Sequence, residues 1–215
     1  MEHHLELRKL IKSSTKELGL TIDEIQVDQF IHYLTHLIEW SHVTNITAIV
    51  DPNEIVIKHF IDSLTALVAA DFPKNTHVLD VGSGAGFPGI PLKIMRSDIR
   101  LVLVEPVQKK CSFINSVIGL LKLQDVSTFN GTLEKYAKWP LRQTIDSIVV
   151  RALKYEEIRL QIPQLLTPNG KIILYKTNPL GSELIGEGFH ILNERIFVLP
   201  RGSGKRVVSV IERDT

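Results

Sequence analysis

An α/β fold, in which a helical N-terminal segment joins a parallel sheet covered on both faces, is predicted by three features of the sequence. Apolar residues in the first seventy positions recur with helical spacing. From His77 onward, short β-branched runs alternate with helical stretches of about a dozen residues. Between the first of these runs and the helix after it lies a turn dense in glycine, Gly82-Ser83-Gly84-Ala85-Gly86.

The elements follow in order. A first helix is expected over Leu5 to Leu18, closed by Gly19. Thr21-Ile22-Asp23-Glu24 fits a capping box, Thr21 at the N-cap and Glu24 three residues on, which satisfies two orphan backbone donors. The helix it opens carries Val27, Phe30, Ile31, Leu34, Leu37 and Ile38 on one face and ends near Trp40. After the turn signal Asp51-Pro52-Asn53, Ile55 to Ala70 reads as a third helix. Val78-Leu79-Asp80-Val81, Leu101-Val102-Leu103-Val104, Ile145 to Val150 and Lys171 to Tyr175 read as strands buried on both faces. Pro88–Met95, Lys109–Leu121 and Tyr155–Leu166 read as the helices between them. Asn178-Pro179-Leu180-Gly181 and Gly186-Glu187-Gly188 are turns. Arg195–Leu199 and Val207–Glu212 flank the basic, glycine-rich Pro200–Arg206 and predict an antiparallel hairpin at the sheet edge. With no repeat and no flexible linker, residues 1–75 are expected to form a helical cap packed on a core of residues 76–215, as one structural unit.

Composition bounds the function classes. The chain has 215 residues, 44% hydrophobic and 23% charged, which excludes a disordered, collagenous or low-complexity protein. Cys111 is the single cysteine, so neither an internal disulfide nor an all-cysteine zinc site can form, and a reducing, cytoplasmic location is expected. No stretch approaches the roughly 18 consecutive apolar residues of a membrane span. The start, Met1-Glu2-His3-His4-Leu5-Glu6, does not read as a secretory signal, so no membrane partner is expected, and a monomer is. Net charge is only +1, so any surface for nucleic acid must be a local one.

The run Asp80-Val81-Gly82-Ser83-Gly84-Ala85-Gly86-Phe87-Pro88-Gly89 follows a strand and opens a helix, the context of a nucleotide-binding turn. Gly82, Gly84 and Gly86 permit tight turning and close approach of backbone to a ligand. A dinucleotide fingerprint requires glycine where Phe87 stands, and the phosphate-binding pattern of P-loop proteins is absent. Asp80, near the bend, is a carboxylate available to offset a cationic ligand. Glu105 ends the second strand 23 residues beyond Gly82, close to the spacing at which an acidic residue accepts from ribose hydroxyls. An ordinary tight turn and a surface carboxylate are the plain alternatives. The Asp-x-Gly-x-Gly-x-Gly pattern resembles the first motif of Rossmann-like methyltransferases that use S-adenosylmethionine.

Four segments in order make the resemblance specific. They are Thr44-Asn45-Ile46-Thr47-Ala48-Ile49 with Lys58-His59-Phe60-Ile61-Asp62-Ser63-Leu64, then Asp80 through Leu92, then Val104-Glu105-Pro106-Val107-Gln108-Lys109-Lys110, then Asp146-Ser147-Ile148-Val149-Val150-Arg151-Ala152. Together they resemble the glucose-inhibited division protein B family, bacterial methyltransferases that modify N7 of one guanine in small-subunit ribosomal RNA. The resemblance implies a Rossmann-like, S-adenosylmethionine-dependent methyltransferase fold with an N-terminal helical extension. It implies methylation of 16S rRNA (guanine 527 in the family's rRNA numbering) with S-adenosylmethionine as cofactor and the rRNA or small ribosomal subunit as partner. Cofactor contacts are implied at Gly82 and Phe87, at Glu105, at Leu133 and Glu134 after a third strand, and at Arg151 after the fourth. Thr132 and Thr177 depart from the family pattern, which usually has Arg-Ala-Glu over 132–134 and Lys-Gly over 176–177.

Guanine N7 carries an in-plane lone pair and no proton at neutral pH, so the reaction needs placement rather than a general base. Arg151 is the candidate between cofactor and base, where a planar guanidinium can stack or donate to O6; an ion pair capping the strand end is its alternative. Phosphate contacts are expected from Lys109, Lys110, Arg201, Lys205 and Arg206, against a plain solvated surface. The resemblance implies that Asn45, His59, Asp62 and Ser63 fit the cap to the catalytic face, with substrate contact as the alternative. His32 and His36 have the spacing of a helical metal pair, but residue 33 is Tyr33 and no metal is expected. Cys111 lies in an apolar helical pattern and reads as a buried structural thiol. A methyltransferase for a small molecule or protein, and a non-catalytic rRNA-binding assembly factor, remain open at this point.

Overall fold

The computed structural model describes residues 2–140, 142–151, 153–181, 185 and 188–214. Met1, Ala152 of the Arg151-Ala152 pair and the Gly186-Glu187 part of the expected turn lie outside the described residues. Helix α1 (Glu2–Glu17) ends at Gly19, whose φ of 78° only glycine adopts without strain. Helix α2 (Glu24–Thr44) buries Val27, Phe30, Ile31, Tyr33, Leu34 and Leu37. Its capping box is not the expected one: Asp23 is the N-cap, accepting from the Gln26 amide at 2.8 Å, while the Gln26 side chain accepts from Asp23 N at 3.0 Å. Aspartate caps at least as well as threonine. Gln26 also donates to the Ile94 and Met95 carbonyls at 3.2 and 3.3 Å, a tie that Glu24 could not make. Helix α2 runs past Trp40 to a left-handed cap at Asn45, φ 48°.

The Asp51-Pro52-Asn53 signal starts a helix instead of making a turn. Asp51 accepts from Glu54 N at 2.8 Å, with proline in the first turn where no donor is needed. Short α3 (Pro52–Ile55) continues through a π-helical turn (Val56–Ile61) into α4 (Asp62–Ala69).

Among the described residues, seven strands form one sheet in the order β3-β2-β1-β4-β5-β7-β6. Strands β1 (His77–Val81), β2 (Arg100–Glu105), β3 (Val126–Asn130), β4 (Ile145–Val150) and β5 (Leu166–Lys176) pair in parallel, and β7 (Lys205–Arg213) lies antiparallel between β5 and β6 (Phe189–Val198). Helices α5 (Gly89–Met95), α6 (Gln108–Leu120), α7 (Leu133–Ala137), α8 (Tyr155–Ile158) and α9 (Ile162–Leu165) connect them. Pro163, in the first turn of α9, goes with the break that divides the expected Tyr155–Leu166 helix. The hairpin is found as expected, with β6 outermost. Strand β3 did not read as an apolar run because it is a half-exposed edge strand with polar Ser127, Thr128 and Asn130.

Alternate strand residues face two cores. Val78, Leu101, Leu103 and Val149 pack under α1, α2, α4, α5 and α6, while Leu79, Val104, Ile148 and Val150 pack against α7, α8 and α9. Cover on both faces is why these strands are apolar throughout. The cap therefore shares a core with the sheet. Tyr33 of α2 also donates through its hydroxyl to the Ala85 carbonyl in the glycine loop. We expect Tyr33→Phe to strand that buried carbonyl and lower stability by about 1–3 kcal/mol. Urea unfolding would register it as a lower midpoint with an unchanged slope; an unchanged midpoint would show that the bond carries no weight.

Candidate active site

Strand β1 stops at Val81 because the chain doubles back at once. Gly82 N and Ser83 N both donate to the Val104 carbonyl, at 2.9 and 3.2 Å. Gly84 N donates to Glu105 Oε2 at 2.8 Å, and Val107 N to Oε1 at 2.9 Å. The carboxylate that ends β2 thus pins two loops and keeps lone pairs to accept more. Gly82, Gly84 and Gly86 have φ of 68°, 61° and 93°. A Cβ at Gly86 would lie 2.4 Å from Ile90 Cδ1, so this glycine serves packing.

Asp80 lines none of the cavities around the glycine loop. Its carboxylate is wholly buried and accepts from Gly89 N at 2.7 Å at the start of α5, where amide donors concentrate, and its Oδ1 has no partner. Burial pushes its carboxyl up from 3.8 to about 7, against the pull of the Gly89 amide and of Arg151. Where a partner for a ligand's charge was expected, the structure shows a carboxyl that braces the loop from below.

Beyond the carboxyl ends of β1, β2, β3 and β4 lies a cleft of about 540 Å³, the position ligands take in parallel sheets. Of the expected cofactor residues it brings together Gly82, Gly84, Glu105, Leu133 and Glu134. Phe87 and Arg151 stand next door, and Gly86 and Asp80 lie outside the walls. Val107, Leu153, Glu157 and Ile158 line the cleft too and were missed. They belong to no glycine or acidic motif, and only the strand order could have pointed to them. Lys110, expected at RNA, is part of this wall. Three carboxylates (Glu105, Glu134, Glu157) against the one ammonium of Lys110 suit a ligand with apolar surface and positive charge, and disfavour a dinucleotide's phosphates. Thr132, where the family usually has arginine, caps α7 by accepting from Lys135 N at 3.4 Å.

Gly82 and Gly84 also border a smaller cavity of about 160 Å³ shared with Thr47, His59, Ser83, Phe87 and Arg151. His59 and Arg151 border in turn a third cleft of about 630 Å³, walled by Lys58, Asp62, Thr177, Lys205 and Arg206. Here four cations (Lys58, Arg151, Lys205, Arg206) face the one carboxylate of Asp62. The Phe87 ring lies between these spaces, stacked on His59 at 4.6 Å with the Arg151 guanidinium 5.0 Å from its centre. Arg151 Nη2 donates to His59 Nδ1 at 3.2 Å; Nε2 therefore carries the proton and donates to Thr47 Oγ1 at 3.0 Å. Burial and Arg151 push His59 down to about 3, so it is neutral at physiological pH.

The expected RNA contacts divide. Lys205 is exposed in the cationic cleft, but Arg206 is paired with Asp62 at 2.5 and 2.7 Å. Lys109 donates to the Thr44 carbonyl at 2.7 Å and Arg201 to Asn53 Oδ1 at 3.1 Å, so both make intramolecular ties. Of the cap residues, Asn45 ends α2, Ser63 donates to the His59 carbonyl at 2.5 Å, and His59 and Asp62 reach the cleft itself. His36 bonds Ser116 at 2.8 Å and stacks on Phe113. Among the described residues no group of three His, Cys, Asp or Glu is placed to hold a metal. Cys111 is buried, donates to the Glu105 carbonyl at 3.1 Å, and burial pushes its thiol up. No helix among them is long and apolar enough to cross a membrane.

The chain is similar to known proteins over most of its length. The GidB family, described as "rRNA small subunit methyltransferase G", matches residues 26–199. A ribosomal RNA small subunit methyltransferase G from Acetivibrio thermocellus is 36% identical over 222 residues, covering 99% of this chain and 90% of its own. One from Clostridium botulinum is 40% identical over 150 residues, covering 69% of this chain and 63% of its own, under two thirds of that relative's length. Among solved structures, MtNAS in complex with MTA and tNA aligns with a TM-score of 0.61 at 15% identity, over 98% of this chain and 86% of that one. TrmN from Thermus thermophilus aligns with a TM-score of 0.57 at 16% identity, over 72% and 48%. At such identity the likeness is one of fold, the Rossmann-like methyltransferase fold.

Asp80 makes a pH-dependent contribution of known sign. Its folded-state value lies above that of the unfolded chain, so between about pH 4 and 7 the folded protein holds more protons and loses stability as pH rises. The unfolding free energy of the wild type relative to Asp80→Asn should fall by up to about 4 kcal/mol over that window and then level off. Parallel stability curves for the two proteins would contradict this reading of the loop.

Proposed function

The chain belongs to the rRNA small subunit methyltransferase G family, and from that premise we propose that it methylates small-subunit ribosomal RNA, at N7 of one guanine, with S-adenosylmethionine as donor. The observation that carries this reading is that the two clefts adjoin, with a small cavity whose walls they share between them. The acid-walled one shares Gly82 and Gly84 with the small cavity, and that cavity shares His59 and Arg151 with the cation-rich one. A cationic donor suits the first and an anionic polymer the second. The walls fit the donor: Gly84 has nothing within 4 Å where a Cβ would stand, and Glu105 keeps free lone pairs beside it. Gly82, Gly84, Glu105, Leu133, Glu134, Leu153 and Glu157 would hold it.

When bound, S-adenosylmethionine supplies a methyl group activated by a sulfonium. The chain's own task is placement, which can contribute about 7–11 kcal/mol when reacting atoms are well aligned. Arg151 stands between the clefts and can donate to the guanine O6 edge without touching N7. His59, neutral and with its proton directed to Thr47, offers Arg151 an acceptor and adds no competing cation. No proton has to leave N7, so no base is required of these residues. Lys205, exposed in the cationic cleft, is suited to a phosphate flanking the target, whereas Lys58 is paired with Glu54 at 2.6 Å. In this reading residues 1–75 cap the core of 76–215 as one unit, and the protein acts as a monomer in the cytoplasm on 16S rRNA or the small subunit.

Two experiments test the reading. Gly82→Asp places a carboxylate at a φ of 68°, with its Cβ 3.2 Å from Leu153, in a wall already rich in carboxylates. Calorimetry should show cofactor affinity lowered at least about tenfold; unchanged affinity would move the donor elsewhere. Labelled methyl from S-adenosylmethionine, offered with small subunits lacking the modification, should appear at N7 of a single guanine. Label at another position or in a protein would overturn the acceptor assignment, and binding without transfer would make the chain an assembly factor.

A further inference from the structure

Arg151 is gripped along one edge by a single turn of the cap. Its Nη1 donates to the Lys58 carbonyl at 3.3 Å and lies 3.5 Å from Asp62 Oδ2, and its Nη2 reaches His59 at 3.2 Å. Its flat face lies over Phe87. Asp62 meets a second arginine as well: Arg206 donates through Nε to Oδ1 at 2.5 Å and through Nη2 to Oδ2 at 2.7 Å, while its Nη1 donates to the Lys176 carbonyl at 3.2 Å. The Asp62 side chain is 1% exposed, against 15% for Arg151 and 18% for Arg206. One carboxylate from the first residue of α4 therefore faces two guanidiniums, from the end of β4 and the start of β7, in the wall of the cationic cleft.

A nearly buried guanidinium deprived of its carboxylate is left as an uncompensated charge and turns toward water, and two this close also repel one another. The nearest water is in the cleft where the acceptor base would sit. Tying cap to core does not demand a charge, since a neutral hydrogen-bonding pair could do it. Holding the nearly buried Arg151 guanidinium against the Phe87 ring does demand one.

We propose that Asp62 is a positioning residue for methyl transfer: its carboxylate fixes Arg151 over Phe87 at the junction of the clefts and sets Arg206 into the cleft wall. This rests on the reading of the two clefts as donor and acceptor sites. Asp62 acts through Arg151 and does not touch the reacting atoms.

The test compares Arg206→Gln with the double variant Asp62→Asn/Arg206→Gln. The single variant leaves Asp62 paired with Arg151 alone. The double variant keeps the cluster at the wild-type net charge, which favours folding, but deprives Arg151 of its carboxylate. With saturating subunits and cofactor, the double variant should show a kcat about 100-fold below that of Arg206→Gln, the scale of a misplaced positioning group, at a similar melting temperature. Equal kcat in the two would overturn the proposal. A crystal structure of each gives a second readout that does not depend on the acceptor. The Arg151 guanidinium should leave the Phe87 ring in the double variant and stay in the single one; an unmoved Arg151 in both would overturn the proposal. Absence of transfer by the wild type would refute the acceptor assignment, and the crystallographic comparison would still decide the role of Asp62.

Discussion

The buried ring of Phe87 is where three distant parts of the chain are held in register. It belongs to the glycine loop, stacks on His59 from the cap, faces Tyr33 of α2 at 5.4 Å, and lies under the Arg151 guanidinium from the end of β4. Each aromatic pair contributes about 0.5–1.5 kcal/mol beyond area burial, and a desolvated cation over a ring about 2 kcal/mol. No one of these contacts is large, but together they place the loop, the cap and the strand-end arginine in a single arrangement. The small cavity that Phe87 lines shares walls with both larger clefts. A phenylalanine where dinucleotide-binding loops require glycine is therefore no defect of the motif. It exchanges close packing of the helix on the strand for an aromatic seat under Arg151.

Much of this was legible in the residues because it is local. The continuous apolar, β-branched runs located four parallel strands, and the glycine spacing located the turn at the end of β1. What was misread depends on partners far away in sequence. The capping box shifted from Thr21 to Asp23 because Gln26 finds carbonyls at the end of α5, 68 and 69 residues on. Asp80 is the expected carboxyl at the bend, but burial raises it to about 7 and its partner is the first amide of α5, which makes it an internal brace. Arg206 looked like a free cation in a basic hairpin; its carboxylate stands 144 residues earlier. Leu153 and Glu157 reach the donor cleft through strand order alone, and no spacing rule marks them. Strand β3 escaped notice because an edge strand needs only one apolar face.

Charge shows the same dependence on placement. The chain as a whole is nearly neutral, at +1. Folding gathers three carboxylates round one cleft and four cations round its neighbour, so the positive surface that composition could not reveal lies beside the site where a cationic donor fits. Methyl transfer carries one positive charge from the donor side to the acceptor side. An acceptor that arrives with its own phosphates offsets that charge where the protein does not.

The claim on which the rest stands is that the acid-walled cleft holds the donor with its reactive end toward Arg151. A crystal structure of the protein with S-adenosylmethionine bound tests it most directly. The account requires the cofactor in the cleft between Glu105, Leu133 and Leu153, with its sulfonium methyl directed past Gly82 to the cavity that His59 and Arg151 share. A cofactor bound elsewhere, or one whose methyl points away from Arg151, would contradict it.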